Sequence, residues 1–143
     1  MSTTGRRFES ISVGDSLDDM NVAVTATLVV AGAIATRDFM PVHHDRDYAQ
    51  SQGAPDIFMN ILSDTAYASR FLTDWAGPQA MIRRLAIRLG VPVFPGHNLR
   101  YEGTVTGVGR DGDDGVVHVE FTATGDLGAH VTGTAELTLP AGD

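Results

Sequence analysis

The feature that most constrains this chain is a long, apolar-rich helix between Pro55 and the pair of helix breakers Gly77 and Pro78. Apolar and small residues recur there about every 3.6 residues, and they are Ile57, Phe58, Ile61, Leu62, Thr65, Ala68, Ser69 and Leu72. Asp56 is a suitable N-cap, and the helix is expected to end near Trp75. Because apolar residues cover much of its circumference, we expect burial along its length. Such a helix needs a sheet to cover it.

The chain after this helix alternates apolar and polar residues with a period of two, which is typical of strands. The predicted strands span residues 84–91, 98–108, 115–124 and 130–139. Gly-rich and Asp-rich segments separate the last three strands, so consecutive strands are expected to form antiparallel hairpins. The G-x-G-x-x-G match at 107–112 follows one strand and precedes another, which indicates a hairpin turn rather than a phosphate-binding loop.

Shorter elements are predicted before the long helix. Residues 21–30 alternate like a strand, residues 31–36 are Ala-rich enough for one or two helical turns, and residues 37–47 read as a loop. A brief helix is expected over 45–52. The element order predicts an α+β protein with the hot-dog fold, in which a curved antiparallel sheet of about five strands wraps a central helix. Exposed sheet edges favour the association of two such units.

Length and composition exclude several classes of protein. The 143 residues suit one domain, which we take as 1–143, and the absence of Cys removes disulfides and thiolate chemistry. A formal net charge of −8 disfavours nucleic-acid binding. No apolar run reaches the roughly 18–20 residues that a membrane span needs, and none follows Arg6 and Arg7 as in a signal peptide. We therefore expect a cytoplasmic protein without nucleic-acid or membrane partners.

The charged loop before the long helix contains the residues that are best suited to chemistry. Asp38 and His43 are five positions apart, and Pro41 restricts the backbone between them. A carboxylate and an imidazole that converge can hold a water, orient it and accept its proton. The alternative is that Asp38 caps a turn and His43 is a solvated loop residue. No metal is expected at His43, His44 and Asp45, because adjacent side chains rarely converge on one ion.

This loop resembles the hydratase loop of the MaoC-like dehydratases. The shared pattern, D-x-x-P-x-H-x-D, is formed by Asp38, Pro41, His43 and Asp45, followed by Tyr48 and Ala49. The order of elements also agrees, since a Pro-x-x-Pro-Gly segment follows a strand at 92–96. The resemblance implies that Asp38 and His43 add water across a trans-2-enoyl-CoA thioester. It implies no separate cofactor, because the substrate is carried on coenzyme A.

Two positions depart from the family pattern. Met40 stands where the family commonly has Asn, and Met59-Asn60 stands where it often has His-Gly. In the family, a backbone N–H at this helix start binds the oxyanion, and free amides with the helix dipole fulfil that role without a particular side chain. The resemblance therefore implies an oxyanion donor at the backbone of Asn60. The alternative is that Asn60 satisfies backbone groups near the helix start.

Three segments narrow the resemblance to the small MaoC-like subunits of actinobacterial steroid side-chain degradation. They span residues 56–62, 73–78 and 82–92. In that group, the small subunit supplies the catalytic residues, and a second hot-dog subunit with an extra OB-type domain completes the enzyme. The resemblance implies hydration of a steroid enoyl-CoA, with either a second hot-dog subunit or a second copy of this chain as partner.

Arginines of the first strand after the long helix are suited to bind the phosphates of coenzyme A, because guanidinium groups recognise phosphate well. Arg84 and Arg88 are the candidates, and Arg83 and Arg100 are further possibilities. The alternative is that Arg84 and Arg88 alternate on the solvent face of the strand, where charged residues normally lie.

Two functions compete with enoyl-CoA hydration. A hot-dog acyl-CoA thioesterase uses the same fold and the same carrier but attacks the carbonyl carbon instead of C3. A non-catalytic assembly subunit only completes the site of a partner, and it predicts that substitutions of Asp38 and His43 leave the complex fully active.

Overall fold

The structure, a computed structural model, describes residues 5–142, which form a five-stranded antiparallel sheet and three α-helices. The strands are β1 (Met20–Ala23), β2 (Met81–Leu89), β3 (Asn98–Asp111), β4 (Asp114–Gly125) and β5 (Gly128–Pro140). The helices are α1 (Ala26–Ala35), α2 (Arg46–Ser51) and α3 (Ile61–Ala76), with short 3-10 helices at Phe8–Ser10 and Pro41–His43. The strand order is β1-β3-β4-β5-β2, and every neighbouring pair is antiparallel. The predicted α+β hot-dog fold is confirmed.

The core lies between α3 and the inner face of the sheet. The ring of Phe71 on α3 lies 5.6 Å from the ring of Tyr101 and 6.0 Å from that of Phe121, measured between ring centres. The Phe121 ring fits against Gly133 because this residue has no side chain; a Cβ there would come within 2.3 Å of the ring. The sheet can therefore pack closely against aromatic side chains that bury a large apolar area.

The two predicted hairpins after α3 are confirmed. Asp111 pairs with Asp114 across the β3–β4 turn, where Gly112 has a φ of +60°. Gly125 pairs with Gly128 across the β4–β5 turn, and Gly128 has a φ of +122°. Both turns need a left-handed residue, which glycine supplies at no steric cost.

The prediction of one strand over 21–30 is wrong beyond residue 23, because β1 ends at Ala23 and α1 begins at Ala26. Thr25 caps α1 by accepting a hydrogen bond from the backbone N–H of Leu28. Gly32 then allows α1 to lie close to α3, since a Cβ at this position would meet the Ser63 hydroxyl. A cap and a close helix contact therefore outweigh the strand propensity of the Val and Thr residues. The short helix predicted over 31–36 is the second half of α1.

The predicted start of the long helix at Asp56 is also wrong. Asp56 instead binds Arg46 and the backbone N–H of Ile57, and α3 begins at Ile61 with Asn60 as its N-cap. The predicted end near Trp75 is confirmed. Burial is one-sided rather than complete, because Ile61 and Leu62 are about half exposed. No helix within residues 5–142 is both long and apolar enough to cross a membrane.

Candidate active site

Asp38 reaches the site because the chain bends sharply after α1. The backbone N–H of Asp38 donates a hydrogen bond to the carbonyl of Ala33 at 2.9 Å, and this bond ends the helix. Arg37 lies between them with a φ of +57°, a left-handed conformation that is uncommon outside glycine. The bend leaves the side chain of Asp38 partly accessible, with 25% of its surface exposed.

His43 is held by the irregular segment that precedes α3. It ends the 3-10 helix that Pro41 begins, and only 8% of the residue is exposed. Its Nδ1 lies 2.6 Å from the carbonyl oxygen of Phe58, and the two rings meet edge to face. A carbonyl can only accept, so Nδ1 carries the proton in the neutral imidazole and Nε2 keeps a free lone pair. That Nε2 lies 3.5 Å from Oδ2 of Asp38.

Asn60 connects the start of α3 to Asp38. Its Nδ2 donates to Oδ2 of Asp38 at 3.0 Å and to Oγ1 of Thr36 at 2.9 Å. Its Oδ1 accepts from the backbone N–H of Ser63, which is the N-cap bond of α3. The side chain is buried and uses all of its polar atoms, so it fixes the position of the carboxylate relative to the helix.

The surroundings keep Asp38 ionised. The hydrogen bond from Asn60 lowers the pKa of Asp38 more than burial raises it, and the backbone N–H of Met40 and the nearby His43 lower it further. The site therefore contains a carboxylate that can accept hydrogen bonds, beside an imidazole nitrogen that can also accept one.

The backbone N–H of Asn60 lies at the start of α3. Among the hydrogen bonds within residues 5–142, none uses this N–H, while the preceding N–H, that of Met59, donates to the carbonyl of Val93. Free amides and the helix dipole make such a helix start favourable for negative charge.

Apolar side chains flank these polar groups at the surface. Phe39 is 65% exposed, and the neighbouring residues with large exposed apolar side chains are Ile34, Met40, Ile61 and Leu62. They belong to the end of α1, the Asp38 loop and the first turn of α3. The polar cluster therefore lies beside an apolar surface.

The structure brings Asp38, His43 and Asn60 together but leaves the predicted arginines out of this hydrogen-bond network. Arg84 and Arg88 lie on the exposed face of β2, opposite Glu136 and Thr132 of β5. Arg88 lines an open groove of about 900 Å³ on the outer face of the sheet. The other two candidate arginines form ion pairs with acidic residues, Arg83 with Asp114 and Arg100 with Asp19 and Glu102.

Two contributors were not predicted from the sequence, namely Thr36 and the carbonyl of Phe58. Thr36 ends the helix predicted over 31–36, and Phe58 lies in the segment wrongly predicted as the start of the long helix, so neither pattern indicates these contacts. Asp45, part of the motif, caps α2 by accepting from the backbone N–H of Tyr48. Within residues 5–142, no three acidic or His side chains cluster as metal ligands.

Comparisons with known proteins agree on one family. A family model described as MaoC like domain matches residues 10–126. The 3-oxo-4,17-pregnadiene-20-carboxyl-CoA hydratase beta subunit of Mycobacterium tuberculosis is 45% identical over 127 residues, which are 89% of this chain and 95% of that protein. A chain from the crystal structure of the ChsH1-ChsH2 complex of the same organism is 44% identical, with a TM-score of 0.84 over 90% of this chain and 98% of that one.

A more distant structure shows the same fold. The (R)-hydratase from A. caviae involved in PHA biosynthesis is 23% identical, with a TM-score of 0.83 over 92% of this chain and 99% of that one.

Proposed function

The chain belongs to the MaoC-like domain family, and from this premise we propose that it hydrates the 2,3 double bond of a trans-2-enoyl-CoA thioester. The observation that carries the proposal is the convergence of three groups: the Asp38 carboxylate, the free Nε2 of His43 and the start of α3 at Asn60. The Asp38 carboxylate and the Nε2 lone pair of His43, 3.5 Å apart, can both accept hydrogen bonds from one water that bridges them.

The proposed reaction begins with the thioester carbonyl at the start of α3. The backbone N–H of Asn60 donates to the carbonyl oxygen and draws electron density away from C3. As water adds, negative charge develops on this oxygen, and the helix dipole stabilises it.

Asp38 and His43 act on the water. The water donates one hydrogen to Oδ2 of Asp38 and the other to Nε2 of His43, so that an oxygen lone pair faces C3. The oxygen bonds to C3 while Nε2 takes one proton, and the carboxylate beside it stabilises the imidazolium. The proton then returns to C2 of the enolate, which completes the addition of one water without any change of oxidation state.

The proposed substrate has a bulky apolar acyl group, such as a steroid side-chain enoyl-CoA. The apolar surface of Phe39, Met40, Ile61 and Leu62 beside the polar cluster supports this choice. The name of the beta-subunit relative specifies a pregnadiene carboxyl-CoA.

We also propose that Arg84 and Arg88 bind the phosphates of coenzyme A. The reaction is proposed for the cytoplasm and for a single MaoC-like domain over 1–143.

The proposed partner is a second hot-dog subunit that binds at the β2 edge of the sheet. Within residues 5–142, β2 pairs with β5 on one side only, whereas the opposite edge is the four-residue strand β1. β2 is nine residues long and carries the exposed Met81 and Leu89. An exposed edge of this length is suited to pairing with another sheet. A second copy of the chain is the alternative occupant.

The test combines co-purification with a substrate series. The chain is expressed alone and with a candidate hot-dog partner, and each preparation receives linear and polycyclic trans-2-enoyl-CoA thioesters. Loss of enoyl absorbance reports hydration, and free thiol reports thioester hydrolysis. We expect hydration without thiol release, fastest with the polycyclic substrate and the heteromeric complex. Thiol release without hydration would identify a thioesterase instead.

A matched pair of histidine variants separates catalysis from assembly. His43→Ala removes the proposed base, and His44→Ala removes an exposed imidazole one residue later. We expect His43→Ala to lose about 10²- to 10⁴-fold in rate and His44→Ala to lose less than about twofold. Equal activity of both variants in the intact complex would assign the chain to assembly only. Substitution of Arg84 and Arg88 by Gln should raise KM for the thioester with little change in kcat.

A further inference from the structure

A second His–Asp pair lies inside the core, where the proposed reaction does not use it. His130 of β5 is 2% exposed, and Asp64 of α3 is 0% exposed. The Nε2 of His130 lies 2.8 Å from Oδ1 of Asp64, and its Nδ1 donates to the carbonyl of Val91 at 2.6 Å. Both ring nitrogens are therefore engaged by oxygen atoms.

The pair places a buried imidazole directly against a buried carboxylate. Burial lowers the pKa of His130, but the hydrogen bond and the negative charge of Asp64, with the Val91 carbonyl, outweigh it and raise the pKa overall. These contacts favour a protonated imidazole, which balances a negative charge on Asp64. The other oxygen of that carboxylate, Oδ2, has no hydrogen-bond partner within residues 5–142. Asp64 thus depends on His130 for compensation.

Hydrogen bonds connect this pair to both sides of the first turn of α3. The backbone N–H of Asp64 donates to the carbonyl of Asn60, one helical turn or about 6 Å along the axis. On the other side, Val91 precedes Val93, whose carbonyl accepts from the N–H of Met59. The imidazole therefore connects α3 to the segment that holds Met59 and Asn60.

We propose that His130 is a positioning residue for hydration, because it cancels the charge of Asp64 behind the amide that faces the thioester oxygen. This inference rests on the proposed function and on the role of the Asn60 N–H within it. A carboxylate without compensation one turn behind that amide would repel the negative charge that develops on the oxygen during addition. The repulsion is strong in a buried, weakly screened environment.

The test compares hydration by a variant that lacks the His130 imidazole with hydration by a double variant that also lacks the Asp64 carboxylate. His130→Gln leaves Asp64 uncompensated, and Asp64→Asn in the same chain removes the remaining charge. We expect His130→Gln to lower kcat about 10- to 100-fold, with less than about a twofold change in KM. The double variant should recover to within about threefold of wild type. His118→Gln, at an exposed position on β4, is the matched control.

If His130 serves packing alone, the double variant should be slower than His130→Gln, because a second core substitution would lower activity further. A double variant slower than His130→Gln would therefore overturn the inference. Asp64→Asn alone removes the carboxylate that favours the protonated imidazole, so His130 should become neutral and kcat should stay within about threefold, even if His130→Gln fails to fold. A loss in Asp64→Asn as large as that in His130→Gln would also overturn it.

The His43→Ala variant distinguishes this failure from failure of the proposed function. Wild-type hydration by His43→Ala contradicts the proposed function and this inference together. A large loss in His43→Ala with no loss in His130→Gln contradicts this inference alone.

Discussion

Two buried histidines of this chain make the same kinds of contact, but their aspartate partners differ in exposure. His43 and His130 each direct Nδ1 to a backbone carbonyl at 2.6 Å and Nε2 to an aspartate. The outer pair is 3.5 Å apart, and the Asp38 side chain is 25% exposed. The inner pair is 2.8 Å apart, and the Asp64 side chain is 0% exposed.

On the proposed function, access and spacing, rather than residue type, separate the reactive outer pair from the supporting inner pair. At 3.5 Å the outer groups make a weak direct contact, so a water can engage both of them. At 2.8 Å the inner groups are already hydrogen-bonded, and the core shields them from solvent. The outer pair is suited to exchange a proton with substrate water, while the inner pair holds a fixed charge balance.

Combined substitution of the outer pair should have the largest effect on rate. Asp38→Asn and His43→Ala are each expected to lower kcat about 10²- to 10⁴-fold. Because both groups are proposed to act on the same water, the double variant should be no more than about tenfold slower than the slower single variant. Steady-state hydration by the four proteins measures this coupling. Fully multiplicative losses would indicate that the two groups act independently.

Removal of the inner imidazole should have the largest effect on stability. His130→Ala leaves a buried carboxylate without its partner, which typically costs about 3–5 kcal/mol in free energy of unfolding. His43→Ala removes a hydrogen bond to the Phe58 carbonyl but leaves no buried carboxylate without a partner, so it should cost less than His130→Ala. Urea denaturation of both variants measures the contrast. Equal losses would remove the distinction between a reactive and a supporting pair.

The inner pair should also make stability depend on pH. The pKa of His130 is raised above its unfolded value of 6.5, so the folded state binds more protons in the window above pH 6.5. Its stabilisation is complete below pH 6.5 and decreases as the pH rises through the folded pKa. The advantage of wild type over Asp64→Asn/His130→Gln should therefore narrow as the pH rises above 6.5, as urea denaturation can measure. A constant or growing advantage would contradict this assignment.

A smaller effect on kcat is expected at Thr36, which contacts the Asn60 side chain that holds Asp38. Thr36→Val removes the hydroxyl that accepts from Nδ2 of Asn60, but the bond from Asn60 to Asp38 remains. A lost neutral hydrogen bond is worth about 0.5–1.5 kcal/mol, so kcat should fall about 2- to 10-fold. Thr27→Val, at an exposed position of α1, is the control and should be neutral. Equal rates in both variants would exclude Thr36 from the support of Asp38.

The sheet could be predicted from the sequence because period-two alternation and glycine-rich turns are local signals. The boundaries of α1 and α3 could not, because competing caps decided them. Asp56 has good capping chemistry, but Arg46 and the N–H of Ile57 occupy it, and Asn60 caps α3 instead. Thr25 likewise starts a helix inside a pattern that favours a strand.

The outer pair was predictable, since Asp38 and His43 are five positions apart in one loop. The inner pair joins residues 66 positions apart, so no local motif indicates it. One signal was available: Asp64 lies four residues before Ala68 and therefore shares the buried face of α3. A carboxylate on such a face requires a partner, which only the fold identifies as His130.

The most direct test of the central claim is hydration by Asp38→Asn in the intact complex, with its melting temperature measured alongside. Asparagine keeps the shape of the side chain but removes the negative charge beside Nε2 of His43. We expect a kcat at least about 100-fold below that of wild type with an unchanged melting temperature, while Asp47→Asn at an exposed position nearby retains full activity. Turnover by Asp38→Asn within about twofold of wild type would contradict the claim.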